Sequence, residues 1–370
     1  MKRKIINFDT TASRKILILE LWGLGDLTFT TSFIEAAAIA NSEVHLMGKD
    51  HAESLLGPSF PDLHFVEFDA PWTVHRGKYS FWKWNWVQIS RMILRLRAEK
   101  YDVCVSVRND PRDQILMWLI GAKERAGFFL EGRRRFFDAG RLFLTRRLKR
   151  PREKQHKVED WHQLGLSINL PMPPVTGVWL DHESYRTGRV DELFAKASKP
   201  VICLHTGARN AVRRWPEQYF AAVIRRLRKV FDFHLIVIPE PTGGTPVLTE
   251  IADSFVTSLS VGEMVDLLGR VDLLICNDSG PAHVAAGCGS NVISIFGPSD
   301  PDWFRPWGEQ NRVILSNMCD YRPCFDDCKF AEAHCMTKLT PEIAYPEIEQ
   351  YVSGLFTKLP AVAQSARAAH

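Results

Sequence analysis

Short apolar runs closed by glycine or polar turns alternate along this chain with longer stretches of helical periodicity, the pattern of a parallel α/β sheet. The first run, Lys15-Ile-Leu-Ile-Leu-Glu20, ends in Trp22-Gly-Leu-Gly25-Asp26, and a helix is predicted over residues 31–40. Further strands are predicted at residues 44–47, 63–66 and 103–107, with a basic amphipathic helix over 86–100. Leu170-Pro-Met-Pro-Pro174 then interrupts the alternation, because prolines at this density resist both helix and sheet. Beyond it the pattern resumes. Strands are predicted at 201–204, 233–238, 271–276 and 292–296. Helices are predicted over 216–230, from Ser260 to about 269, from 281 to 287 and over 341–356. Ser260 and Glu263 have the spacing of a capping box.

This pattern predicts an α/β fold of two doubly wound halves facing each other. A chain of 370 residues also exceeds what one hydrophobic core usually organises. The expected division is residues 1–172, then 173–340, a last helix over 341–358 and a disordered small-residue tail over 359–370. The longest apolar run, residues 115–120, is far below the ~18 residues of a membrane helix. Lys2, Arg3 and Lys4 resemble the start of a signal peptide, but Asn7, Asp9, Arg14 and Lys15 interrupt any apolar core behind them. Cys104, Cys203, Cys276 and Cys288 sit in or beside apolar runs and read as buried thiols of a reducing compartment, so a cytoplasmic protein is expected.

Charge adds one feature. The whole chain is only +4, yet residues 133–157 hold eleven Lys or Arg against Asp138 and Glu153, a net of +9. This is either a cationic patch for phosphates or sugar carboxylates, or a solvated basic helix or loop. Few aromatics interleave with it, which disfavours nucleic acid as a partner.

Three loops carry candidate chemistry. Gly23-Leu-Gly25-Asp26 fails the dinucleotide fingerprint, since Thr28 stands where its third glycine belongs. Asp26 at a helix start would repel a pyrophosphate and is better suited to take a proton from a neutral hydroxyl; the alternative is a plain N-cap. In Asn277-Asp-Ser-Gly-Pro-Ala-His283, the amides of Ser279 and Gly280 open a helix with proline at its first position, an arrangement suited to an anion. His283 either adds a donor there or packs. Phe296-Gly-Pro-Ser-Asp-Pro301 puts a second tight turn at the same sheet edge. His205-Thr206-Gly207-Ala208 and Arg213-Arg214-Trp215-Pro216 follow the second half's first strand, and their guanidinium groups either neutralise a diphosphate or form a surface pair with Glu217. Together these loops describe a nucleoside diphosphate site in the second domain. Cys319, Cys324, Cys328 and Cys335, with His334, lack paired CxxC knuckles, leaving a zinc site or a reduced thiol cluster open. No DxD-like pair accompanies the nucleotide loops, so no catalytic divalent ion is expected.

These motifs, in this order over about residues 15–352, resemble glycosyltransferase family 9, the ADP-heptose:lipopolysaccharide heptosyltransferases. The resemblance implies a GT-B fold, two Rossmann-like domains with the active site between them and the last helix crossing back toward the first domain. It implies Asp26 as catalytic base. It further implies donor contacts from Thr206, Gly207, Arg213, Arg214, Asp278, Ser279, Gly280 and His283. The acceptor side would hold Gly23 and Gly25, with Arg133, Arg134 and Arg135 in the cationic stretch. The activity implied is inverting transfer of heptose from ADP-heptose to an acidic Kdo-lipid A type acceptor, without metal or cofactor, in peripheral contact with the cytoplasmic face of the inner membrane.

Two departures bear on substrate rather than fold: Pro239-Glu-Pro-Thr-Gly-Gly244 replaces an acidic stretch near the ribose, with Glu240 as a substitute, and Trp22 replaces a small polar residue. Other readings keep the fold with another nucleotide sugar or a protein acceptor, as in the autotransporter heptosyltransferases, or make the chain a non-catalytic nucleotide-sugar-binding protein. A zinc-dependent module and a hydride-transfer enzyme are less favoured.

Overall fold

The computed structural model describes residues 13–73, 80–129, 140–150, 154–174, 177–197, 199–239 and 245–357. The chain forms two compact units, Met1–Val178 and Trp179–His370. This division falls after the proline-rich stretch rather than at residues 172/173. Leu170 is buried, its amide donates to the Gly165 carbonyl at 3.0 Å, and the Met172 thioether occupies the space a Cβ on Gly165 would need. The prolines therefore finish the first unit.

The first unit holds a six-stranded parallel sheet of β1 (Lys15–Leu19), β2 (Glu43–Gly48), β3 (His64–Glu67), β4 (Val103–Ser106), β5 (Glu124–Phe129) and β6 (Arg146–Lys149). The second holds β7 (Val201–His205), β8 (His234–Ile238), β9 (Ser254–Phe255), β10 (Leu273–Asn277), β11 (Asn291–Phe296) and β12 (Arg312–Leu315). The first sheet runs β3-β2-β1-β4-β5-β6, the second β12-β11-β10-β7-β8-β9. Counted within its own unit, each sheet has the doubly wound order 3-2-1-4-5-6, in which the winding reverses between the first and fourth strands.

Hydrophobic content sets position in each sheet. Strands β1, β4, β7 and β10 are nearly continuous apolar runs buried on both faces, as central parallel strands require. Their cores are separate: Leu17, Leu19, Trp72, Tyr101 and Met117 in the first unit, and Ile202, Trp215, Leu235, Ile275 and Ile348 in the second. The first sheet's edge strands, β3 and β6, carry polar and charged residues. β6, Arg-Arg-Leu-Lys, lies inside the cationic stretch and pairs with β5, so part of that stretch is neither helix nor loop but a charged sheet edge.

The capping box of the helix Val261–Arg270 is formed, with Glu263 N donating to Ser260 Oγ at 3.2 Å and Ser260 N to Glu263 Oε2 at 2.7 Å. The helix Pro341–Phe356 contributes Ile348 and Val352 to the second unit's core. The tail at 359–370 lies outside the described residues. No described helix is long and apolar enough to cross a membrane.

Candidate active site

In the first unit, β1 and β4 flank the reversal point, and the chain leaving β1 enters the short helix Leu24–Thr28. Gly23 is the N-cap, so Asp26 is not. It stands at the third helical position and reaches back, its Oδ2 accepting from Gly23 N at 3.4 Å. Asp26 remains half-buried, and a Cβ on Gly23 would meet nothing within 4 Å, which leaves the space above this turn open. Gly25 is buried, and its carbonyl accepts from Thr28 Oγ1 at 2.7 Å.

A buried polar cluster adjoins this turn. The Arg108 guanidinium, just after β4, lies 3.5 Å from the centroid of the Trp22 ring, a cation–π contact that gives the unusual tryptophan a structural partner. Trp72 Nε1 donates to Asp113 Oδ1 at 2.7 Å. Burial pushes the Asp113 carboxyl up to about 6, assisted by the neighbouring Asp110 charge and opposed by Arg108. Burial likewise holds Glu20 well above the ordinary carboxylate range, with Asp26 adding in the same direction and Arg108 opposing.

In the second unit, β7 and β10 flank the reversal point. Thr206 follows β7 and Asp278 follows β10, so the two predicted donor loops lie side by side at the carboxyl end, where open α/β sheets bind ligands. Asn277 joins them. Its Nδ2 donates to the Thr206 carbonyl at 2.7 Å and its Oδ1 accepts from Trp215 N at 2.9 Å. Ser279 caps the helix Gly280–Gly287 through its backbone, and its hydroxyl donates to the Asn277 carbonyl at 3.1 Å instead of accepting from the helix amides. The first-turn amides are thereby kept from their own cap side chain, as an anion would require. His283 is buried in the first turn of that helix.

Arg213 is the hub of this site. Its Nη1 donates to Asp278 Oδ2 at 3.1 Å, while Nε and Nη2 form a two-pronged pair with Asp326 at 2.6 and 2.8 Å. Ser299 Oγ donates to the same Asp278 oxygen, joining the Phe296–Pro301 turn to the site. Arg214 Nε donates to the Ala208 carbonyl at 3.0 Å, closing the loop that carries Gly207. Glu217 accepts from Thr206 Oγ1 at 3.3 Å and from Thr245 N at 2.9 Å.

The structure thus gathers Thr206, Arg213, Arg214, Asp278, Ser279, Gly280 and His283 around one sheet edge, and sets Asp26, Gly23 and Gly25 on the other unit's corresponding edge. Arg133, Arg134, Arg135 and Glu240 lie outside the described residues. Within the described cationic stretch, Arg150 and Lys157 both pair with the buried Asp160, at 2.7 and 2.9 Å, so these two charges support the fold. Sequence reasoning missed Asp326, read only as part of a cysteine-rich loop. The sequence gives Asn277 no role beyond its place in the motif; a polar amide closing an apolar strand is its one signal.

Two Rossmann-order sheets, each with polar loops at its reversal point, define the class: a GT-B fold. Residues 89–334 match glycosyltransferase family 9 (heptosyltransferase), and the chain belongs to this family. It is 21% identical over 317 residues to the lipopolysaccharide core heptosyltransferase OpsX of Haemophilus influenzae, covering 82% of this chain and 85% of that protein. It is 22% identical over 363 residues to lipopolysaccharide heptosyltransferase 1 of Pseudomonas aeruginosa, covering 90% and 97%. Among solved structures, the Escherichia coli heptosyltransferase WaaC with ADP-2-deoxy-2-fluoro heptose aligns at a TM-score of 0.67 and 17% identity, over 91% of this chain and 99% of that one.

Proposed function

We propose that this chain transfers heptose from ADP-heptose to an acidic lipopolysaccharide inner-core acceptor of Kdo-lipid A type, by a single displacement with inversion. The observation that carries the reading is the joined pair of loops at the second sheet's reversal point, Thr206–Gly207 beside Asp278–Gly280, bridged by Asn277 and braced by Arg213. A complex of WaaC with an ADP-heptose analogue belongs to the same fold, and the named relatives are lipopolysaccharide heptosyltransferases.

In this reading Asp26 accepts the proton of the acceptor hydroxyl as its oxygen attacks the anomeric carbon. The bond from that carbon to the donor phosphate breaks, and ADP departs with the electron pair. Negative charge grows on the departing diphosphate, where the amides of Ser279 and Gly280, His283 and Arg214 stabilise it. Arg213, already engaged by two carboxylates, acts chiefly by fixing Asp278 and the loops around the donor. Gly23 leaves room for the acceptor. Arg133, Arg134 and Arg135 attract the acidic acceptor, with peripheral contact at the cytoplasmic face of the inner membrane.

Calorimetric titration with ADP, UDP and GDP, repeated on Asp278→Ala, tests the donor. Selective ADP binding that weakens at least tenfold in the variant is expected. Preference for UDP or GDP would overturn the heptose assignment, and no nucleotide binding would overturn the donor site altogether. Turnover of ADP-heptose with the anomeric configuration of the product read by NMR tests inversion.

A further inference from the structure

At the opposite, amino-terminal edge of the first sheet, three side chains converge that the transfer reaction does not use. Parallel pairing of β2 with β3 sets His45 directly beside His64, with ring centroids 4.8 Å apart. Glu43 lies two residues before His45 on the same strand, hence on the same face. Ligand atoms of all three residues lie within 4.8 Å of one another. We propose that Glu43, His45 and His64 bind a divalent transition metal of borderline softness, zinc(II) being the chemistry that fits best.

Two imidazoles and a carboxylate form a donor set suited to zinc, leaving a fourth position for water. His45 Nε2 already faces Glu43 Oε1 at 2.8 Å, while its Nδ1 sits 2.9 Å from the hydroxyl of the buried Tyr101. That hydroxyl is the partner a zinc-bound imidazole requires. With metal on Nε2, Nδ1 carries the proton and donates it to the Tyr101 oxygen, which fixes the ring.

Lys15 is the competing cation, with Nζ 2.9 Å from Glu43 and 2.6 Å from Glu99. With both rings neutral, Lys15, Glu43 and Glu99 sum to one negative charge. A dication therefore enters a net-anionic cluster, and Lys15 keeps Glu99 when it releases Glu43. His64 and Glu43 are exposed, so the metal reaches the site from solvent. Bound there, it clamps the short edge strand β3 to β2, stabilising the folded state by mass action.

The test uses the full chain, without an affinity tag and stripped with chelator, titrated with zinc(II) and with cobalt(II) as a spectroscopic probe. One equivalent is expected to bind, to raise Tm, and to give the weak visible bands of nitrogen and oxygen ligation. His64→Ala and Glu43→Gln, both at exposed positions, should each weaken binding at least tenfold without changing Tm in chelator. Tyr101→Phe should weaken it about 10–100-fold, the usual effect of losing a ligand's hydrogen-bond partner. Absence of binding, binding unaltered in His64→Ala and Glu43→Gln, or an intense thiolate-to-cobalt band placing the metal on the cysteines would overturn the proposal.

Discussion

Arg213 and Asp326 are 113 residues apart and meet through two parallel hydrogen bonds, from Nε to Oδ1 at 2.6 Å and from Nη2 to Oδ2 at 2.8 Å. The same guanidinium holds Asp278, only 3% exposed, so it fastens the cysteine-rich loop to the strand-end loop. Asp326→Ala removes the stronger half of this brace. The expected result is a loss of about 1.5–3 kcal/mol in urea unfolding, the range for hydrogen bonds to charged groups, together with weaker ADP binding. Unchanged ADP affinity would mean that the brace is irrelevant to the donor site.

Asp26→Ala separates chemistry from donor binding. Loss of a general base typically slows turnover about 10²–10⁴-fold, and ADP affinity measured by calorimetry should stay within about twofold. Retention of more than about a tenth of kcat would remove Asp26 from the mechanism.

Asp113 makes stability depend on pH. Its carboxyl is raised from 3.8 to about 6, so the folded state binds its proton more tightly than the unfolded chain. This contribution is fully present below about pH 4 and is lost as pH rises through about 6. Asp113→Asn mimics the protonated form and retains an acceptor for Trp72 Nε1. The variant should match the wild type at pH 4 and exceed it by about 2–3 kcal/mol at pH 7.5 in paired urea titrations. Equal stabilities at both pH values would contradict the raised value.

Asn277→Ala strips partners from two buried backbone groups, the Thr206 carbonyl and the Trp215 amide. At about 1–3 kcal/mol for each unsatisfied group, a loss of about 2–6 kcal/mol is expected in chemical unfolding. Asn277→Asp keeps the acceptor for Trp215 but turns an anion toward the Thr206 carbonyl, so it should also destabilise.

What the sequence discloses follows from where water is. β1, β4, β7, β10 and β11 stand out as apolar runs because both faces are buried. β6 goes unread because it is a sheet edge that faces solvent and carries Arg and Lys, and β12 because it offers only three apolar residues behind Arg312. β5 opens with Glu124 and Arg125, and β9 has only two residues. Asp26 and the Asn277–His283 loop are legible because glycine, proline and a carboxylate punctuate a strand-to-helix turn. Asp326 is not, since its role exists only once Arg213 is folded against it. The Glu20–Asp113–Arg108 cluster is hidden for the same reason: Glu20 after β1, Arg108 after β4 and Asp113 in the helix Pro111–Ile120 become neighbours only once the unit folds.

The doubled strand order also bears on synthesis. The first sheet draws all its strands from residues 15–149 and the second from 201–315, so neither waits for a strand from the other. On the ribosome the first sheet can close while the second is still being translated, and domains of this kind fold as units in that order. The early sheet's own edges, β3 and the Arg- and Lys-bearing β6, are then set before the late strands emerge.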